Sequence, residues 1–112
     1  MADSTEALVV FTNLPDHDAA MRLARILIEK QLAACVNVLA AGTSVYRWRG
    51  QVETAHEVAV LIKTRAGSYA GVEAAILGVH PYELPEIIAV PVVRGLPQYL
   101  DWVAAETPPP SP

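Results

Sequence analysis

The sequence predicts an α+β fold of the ferredoxin-like kind, β-α-β-β-α-β, with a short extra helix at the C-terminus. Three observations carry this. Short runs rich in β-branched residues alternate with two stretches of helical spacing. The second and third strand runs are joined by a tight turn at Arg49-Gly50-Gln51 and not by a helix. Pro91 sits inside the last strand run, which suits an edge strand, because a central strand would lose a ladder N–H there.

Each element has a local reason. Ala7 to Thr12 (ALVVFT) is an apolar run of β-formers and reads as a central strand. Asn13-Leu14-Pro15-Asp16 turns the chain, and Asp16 and Asp18 place negative charge at a helix start. Ala19 to Leu32 has helical spacing, with Ala20, Ala24, Leu27 and Ile28 on one face and Arg22, Arg25 and Glu29 on another. Ala34 to Leu39 is a second strand, interrupted at Gly42-Thr43-Ser44 and resumed from Val45 to Trp48. Gly50 in the following turn is free to take positive φ. Glu57 to Lys63 is the third strand. Val58, Val60 and Ile62 share one face of it, and Glu57, Ala59, Leu61 and Lys63 the other. A second helix fits Ser68 to Val79, and Ile87 to Val93 is the last strand. Leu96-Pro97 opens the third helix, whose apolar side is Tyr99, Leu100, Trp102 and Val103.

The totals bound the function. The chain has 112 residues, of which 53% are apolar, so one domain with one core is expected, over 1–107. The proline-rich end, 108–112, reads as a solvated tail. The 8 basic residues are scattered and the formal charge is -4, which argues against a nucleic-acid surface. No apolar run is long enough to span a bilayer. A cytoplasmic location is expected from the lack of a secretory signal and the single cysteine, Cys35.

Tyr46 and Trp48 have the same parity, and so share a face at a hairpin end beyond the reach of a two-layer core. With two edge strands, this predicts a homo-oligomer in which Tyr46, Trp48 and Trp102 lie at the interface. Cys35 groups by parity with Asn37 and faces away from the helices if Val36 faces them. A polar cleft at the subunit boundary is therefore expected from Cys35, Glu57, Lys63 and Tyr82.

Five stretches in this order resemble the CutA proteins, named for divalent-cation tolerance: LAACVNV (32–38), YRWRGQVE (46–53), EVAVLIKT (57–64), HPYELPEI (80–87) and YLDWV (99–103). The resemblance runs from about Ala7 to Val103. It implies a ferredoxin-like subunit, a tight homotrimer related in architecture to nitrogen-regulatory PII proteins, and a role in tolerance of copper and other divalent metals. Some members carry a cysteine after the first strand's apolar run, where Thr12 stands here, and two histidines before Pro-Tyr, where Val79 and His80 stand. Of that ligand set only His80 carries over.

His80 has two readings, a cap at a helix C-terminus or a metal ligand. Glu83 and Glu86 supply oxygens nearby, and Cu(II) is the ion expected first because it heads the divalent affinity order. The three residues match no tight metal-spacing motif. His17 between Asp16 and Asp18 reads as a solvated cluster or an adventitious metal catch. No nucleophile–base pair, phosphate-binding glycine loop or cysteine zinc set is present, so no catalytic residue is assigned. The leading expectation is a trimeric metal-tolerance protein. A PII-like small-ligand or signalling scaffold comes second and an enzyme third.

Overall fold

The computed structural model describes residues 5–109. Its elements run β1 (Ala7–Leu14), α1 (His17–Glu29), β2 (Cys35–Trp48), β3 (Gln51–Arg65), α2 (Tyr69–Val79), β4 (Ile88–Pro91) and α3 (Pro97–Glu106). A single 3₁₀ turn, Ala66–Ser68, leads into α2. All strand pairs are antiparallel in the order β2-β3-β1-β4, so the expected ferredoxin-like topology is present and Pro91 lies on an edge strand. Of the expected proline-rich tail, Pro108 and Pro109 are exposed and 110–112 lie outside the described residues.

Local chemistry sets the element ends. Asp16 is the N-cap of α1, its Oδ1 accepting the Ala19 N–H at 2.8 Å. At the other end Gln31 takes φ 57. Its N–H reaches the Ile28 carbonyl, and the Leu32 N–H reaches that of Leu27, which is a Schellman closure with glutamine where glycine is usual. The helix therefore stops at Glu29, three residues before its expected end, and it buries Leu23 while Ile28 is exposed. The buried stripe is Ala20, Leu23, Ala24 and Leu27, and Ile28 falls just outside that arc.

The β2–β3 hairpin is much longer than the apolar runs indicate. Arg49 (φ 51) and Gly50 (φ 80) both adopt positive φ between the paired Trp48 and Gln51, which is a type I′ turn. Gly42-Thr43-Ser44 does not interrupt β2, contrary to the sequence expectation: these residues pair with Glu57, His56 and Ala55. The irregularity lies earlier, between Val38 and Ala41, where two residues of β2 oppose one of β3. Polar residues such as Thr54 and His56 hide this part of the ladder from any apolar pattern. β4 is shorter than expected, ending at Pro91.

Helices α1 and α2 seal one face of the sheet. Its core is Val10, Leu14, Ala20, Leu23, Leu27, Ala33, Val58, Val60, Ile62, Val72 and Ile76. Helix α3 is anchored separately, by the buried Val103 and by Arg65, whose Nε donates to the Thr107 carbonyl at the helix end. Among the described residues, no helix is long and apolar enough to cross a membrane.

Candidate functional site

The face of the sheet turned away from α1 and α2 carries most of the expected site residues. Register defines it. Val58, Val60 and Ile62 are buried under the helices, so Glu57, Ala59, Leu61 and Lys63 project from the other side. Val9 pairs with Lys63 and Phe11 with Leu61, and on the far side of β1 they pair with Val90 and Ile88. Cys35 pairs with Lys63, and Asn37 with Leu61. The open face is thus largely apolar, with Ile88, Val90 and Leu39 exposed.

The bulge between Val38 and Ala41 decides what else lies there. An extra residue reverses parity along the rest of a strand. Before it, odd-numbered residues of β2 share the Lys63 face; after it, even-numbered ones do, because Gly42 pairs with Glu57 and Tyr46 with Glu53. Cys35, Asn37, Tyr46 and Trp48 therefore lie on one face despite their opposite parity in the sequence. Tyr46 is 45% exposed, and Trp48 is half-buried beneath the Arg49 guanidinium, 5.3 Å from its ring centre. On the opposite side of the same arm, Val45 and Val52 are 67% and 66% exposed.

At one end of this face, Lys63 Nζ donates to Asn37 Oδ1, with Cys35 directly across the ladder. Cys35 is a free thiol, half-buried. At the other end, Tyr82 meets Glu57. Its phenol is held above the usual tyrosine range, first by burial and then by the charge of Glu57 and a hydrogen bond to it, with smaller contributions from Tyr46 and Asp16. Six residues of strand separate Glu57 from Lys63, about 20 Å. The four expected cleft residues thus form two pairs at two ends.

The corner 80–86 places its polar groups separately. His80 is the C-cap of α2, as one of its two readings had it, and its backbone N–H closes the last turn on Ile76. Its ring faces elsewhere. A carbonyl oxygen only accepts, so Nε2 carries the proton and donates to the Asn13 carbonyl at 2.5 Å. Nδ1 then accepts the Tyr82 N–H at 3.2 Å, and the two rings lie 4.6 Å apart. Glu83 pairs with Arg49 of the hairpin turn at 2.9 Å, and Glu86 accepts from Asn13 Nδ2 at 3.3 Å. His80, Glu83 and Glu86 are not gathered around one point. Among the described residues, no group of three or more His, Cys, Asp or Glu is placed to hold a metal ion. His17 lies on the outer surface of α1, exposed beside Asp18 and Arg22.

Trp102 is 42% exposed on α3, its ring 5.5 Å from that of Tyr99. Thr12 lies on the other side of the sheet, 1% exposed, and its Oγ1 is buried without a hydrogen-bond partner. The sequence reading missed the parts played by Asn37 and Arg49. A lone amide inside the apolar run ACVNVL was the signal for the first; the contact of Arg49 with Glu83 spans 34 positions and left no local trace.

Fold and face together define a ferredoxin-like α+β domain with one sheet face sealed by α1 and α2 and the other largely open. The model of the CutA1 divalent ion tolerance protein family matches residues 8–106. The divalent-cation tolerance protein CutA of Thermus thermophilus is 38% identical over 99 residues, covering 88% of this chain and 96% of that one. Protein CutA of Mus musculus is 43% identical over 93 residues, which span 83% of this chain and 52% of the mouse protein. The crystal structure of CutA from Xylella fastidiosa superposes with a TM-score of 0.89 at 41% identity, covering 92% of this chain and 99% of that one. The chain belongs to the CutA1 divalent ion tolerance family.

Proposed function

We propose that the chain works as a homotrimer in divalent-cation tolerance, with Cu(II) as the first ion to test. The observation that carries assembly is the open face. Val9, Phe11, Leu61, Ile88, Val90 and Leu39 lie on it, with Ile88, Val90 and Leu39 exposed, and neighbouring exposed apolar side chains of this kind mark an interaction surface. The β2–β3 arm adds a second reason. It is a two-stranded ribbon exposed on both sides, and such ribbons are marginal in water without support. A second copy laid over Tyr46, Trp48 and the open face answers both needs. Three as the copy number follows the family resemblance, and Trp102 belongs to the same interface.

Copper would meet no preformed site at the 80–86 corner. The Nδ1 lone pair of His80 is the only imidazole lone pair there, and a long bond from Tyr82 N–H occupies it. Glu83 and Glu86 would have to leave Arg49 and Asn13 to join it. Binding through these residues is therefore weak and needs local rearrangement. Calorimetric titration of Cu(II) into wild type, His80→Ala and His17→Ala, with sedimentation of each, tests the reading. Loss of binding in His80→Ala alone supports it. Unchanged binding in His80→Ala moves the metal elsewhere, and loss only in His17→Ala makes the surface cluster on α1 the site.

A second reading, a PII-like scaffold that takes a small ligand in a cleft between subunits, is favoured by one feature. The Lys63–Asn37 pair lies on the very face that assembly covers.

A further inference from the structure

Lys63 is a cation in an apolar setting. It stands between Val9 and Cys35 on the open face, with Leu61 and Phe11 in the rung on one side and, on the other, Ala7 and the buried Arg65, whose Nε is turned to the Thr107 carbonyl. Its ammonium contacts an amide and not a carboxylate. The one ion pair among the described residues is Arg49–Glu83; of the two carboxylates on the same strand face, Glu57 is engaged by Tyr82 at the far end and Glu53 lies farther out in the hairpin. An ammonium half-exposed in one subunit tolerates this. Once a second copy excludes water, an unpaired charge becomes costly, and a negative group has to accompany it.

The polar atoms specify that group. Lysine can only donate, so the amide oxygen of Asn37 faces it, and the NH₂ occupies the other branch of the planar amide. Lys63 keeps two further N–H donors and Asn37 two. The pair presents four N–H donors and one positive charge, against a single remaining lone pair on the amide oxygen. A carboxylate fits this set: one negative charge, two oxygens in a plane to span ammonium and amide, and an apolar body to lie on Val9, Phe11 and Leu61. A doubly charged phosphate exceeds the single charge of Lys63, because the Arg65 Nε is already directed at the Thr107 carbonyl, and a divalent cation is repelled by both cations.

We infer that Lys63 and Asn37 form a carboxylate-binding site on the open sheet face, distinct from any cation site. This deepens the cleft reading and rests on the proposal that a second copy covers that face. The carboxylate is a small free acid, or an Asp or Glu side chain of the second copy.

The test reads the side-chain amide signal of Asn37 and the ammonium signal of Lys63 by nitrogen-15 NMR in the full chain. Sodium propionate, sodium chloride and inorganic phosphate are added at matched ionic strength to wild type, Lys63→Met and Asn37→Asp, with sedimentation of each. A free acid as the ligand gives a saturable propionate shift in wild type that chloride does not produce. The shift weakens about tenfold or more in Lys63→Met and disappears in Asn37→Asp, whose new carboxylate satisfies Lys63 internally. A wild type insensitive to propionate, with a Lys63→Met variant that dissociates where wild type stays assembled, places the carboxylate on the second copy. Phosphate binding more tightly than propionate overturns the ligand class. Equal responses to propionate and chloride, with Lys63→Met assembled as wild type, overturn the site. A monomeric wild type defeats the assembly reading by itself, and the propionate shift then still decides the site.

Discussion

Val60 and Leu61 are neighbours on β3 with opposite surroundings. Val60 is fully buried between the sheet and the two long helices, in a core supplied entirely by this chain. Leu61 points the other way, half-buried beside Phe11 and Asn37, on a face that α1 and α2 leave open and that α3 meets only at the Arg65 end. Strand alternation produced both environments, yet only one is sealed by α1 and α2. The sealed side holds two buried strand hydroxyls and no buried strand charge, Thr12 without a partner and Thr64 donating to the Leu32 carbonyl; the open side mixes an apolar floor with Lys63, Asn37, Glu57 and Tyr82. The buried core is therefore concentrated on one side, and the exposed mixture of apolar and polar groups on the other.

Mutations on the two sides should behave differently. The largest expected effect is on the sealed side. Leu23→Ala removes a fully buried side chain and should cost about 3 kcal/mol in denaturant unfolding. If Leu23→Ala lowered assembly without lowering subunit stability, the division between the faces would be wrong. Next comes the open side. Trp48→Ala should weaken assembly by about 2 kcal/mol, read by sedimentation over a dilution series, and leave the circular dichroism of the subunit intact. A variant that unfolds outright would show that Trp48 belongs to the subunit's own core.

Thr12→Val sharpens the contrast from within. The hydroxyl is buried without a partner, so an apolar group of the same shape should raise stability by about 1 kcal/mol. A loss of stability instead would mean that Thr12 Oγ1 is satisfied in solution. The smallest effect concerns Tyr82. Its protonated form is favoured in the folded state, so the stability it contributes is fully present below the usual tyrosine range, about pH 10, and is lost as pH rises through the raised value. Tyr82→Phe should flatten part of the alkaline fall in stability. Tyr69, raised by its hydrogen bond to Glu73, should keep the remainder. An unchanged alkaline profile in Tyr82→Phe would leave the Glu57 contact without energetic weight.

The order of elements, the edge position of the last strand and the faces of β3 were legible from residue pattern alone. Those features rest on local physics: side-chain period, the missing N–H of Pro91, the capping carboxylate of Asp16. The sequence also carried the five stretches that mark the family. Tertiary structure decided the rest. The bulge between Val38 and Ala41 brought Cys35 and Tyr46 onto one face, and no parity count foresees an extra residue whose only cause is pairing with a strand elsewhere in the chain. The partners of His80, Glu83 and Glu86 were settled in the same way. Asn13 and Arg49 lie far from them in sequence, and a polar group takes whichever donor or acceptor the fold brings within about 3 Å, not the one nearest along the chain.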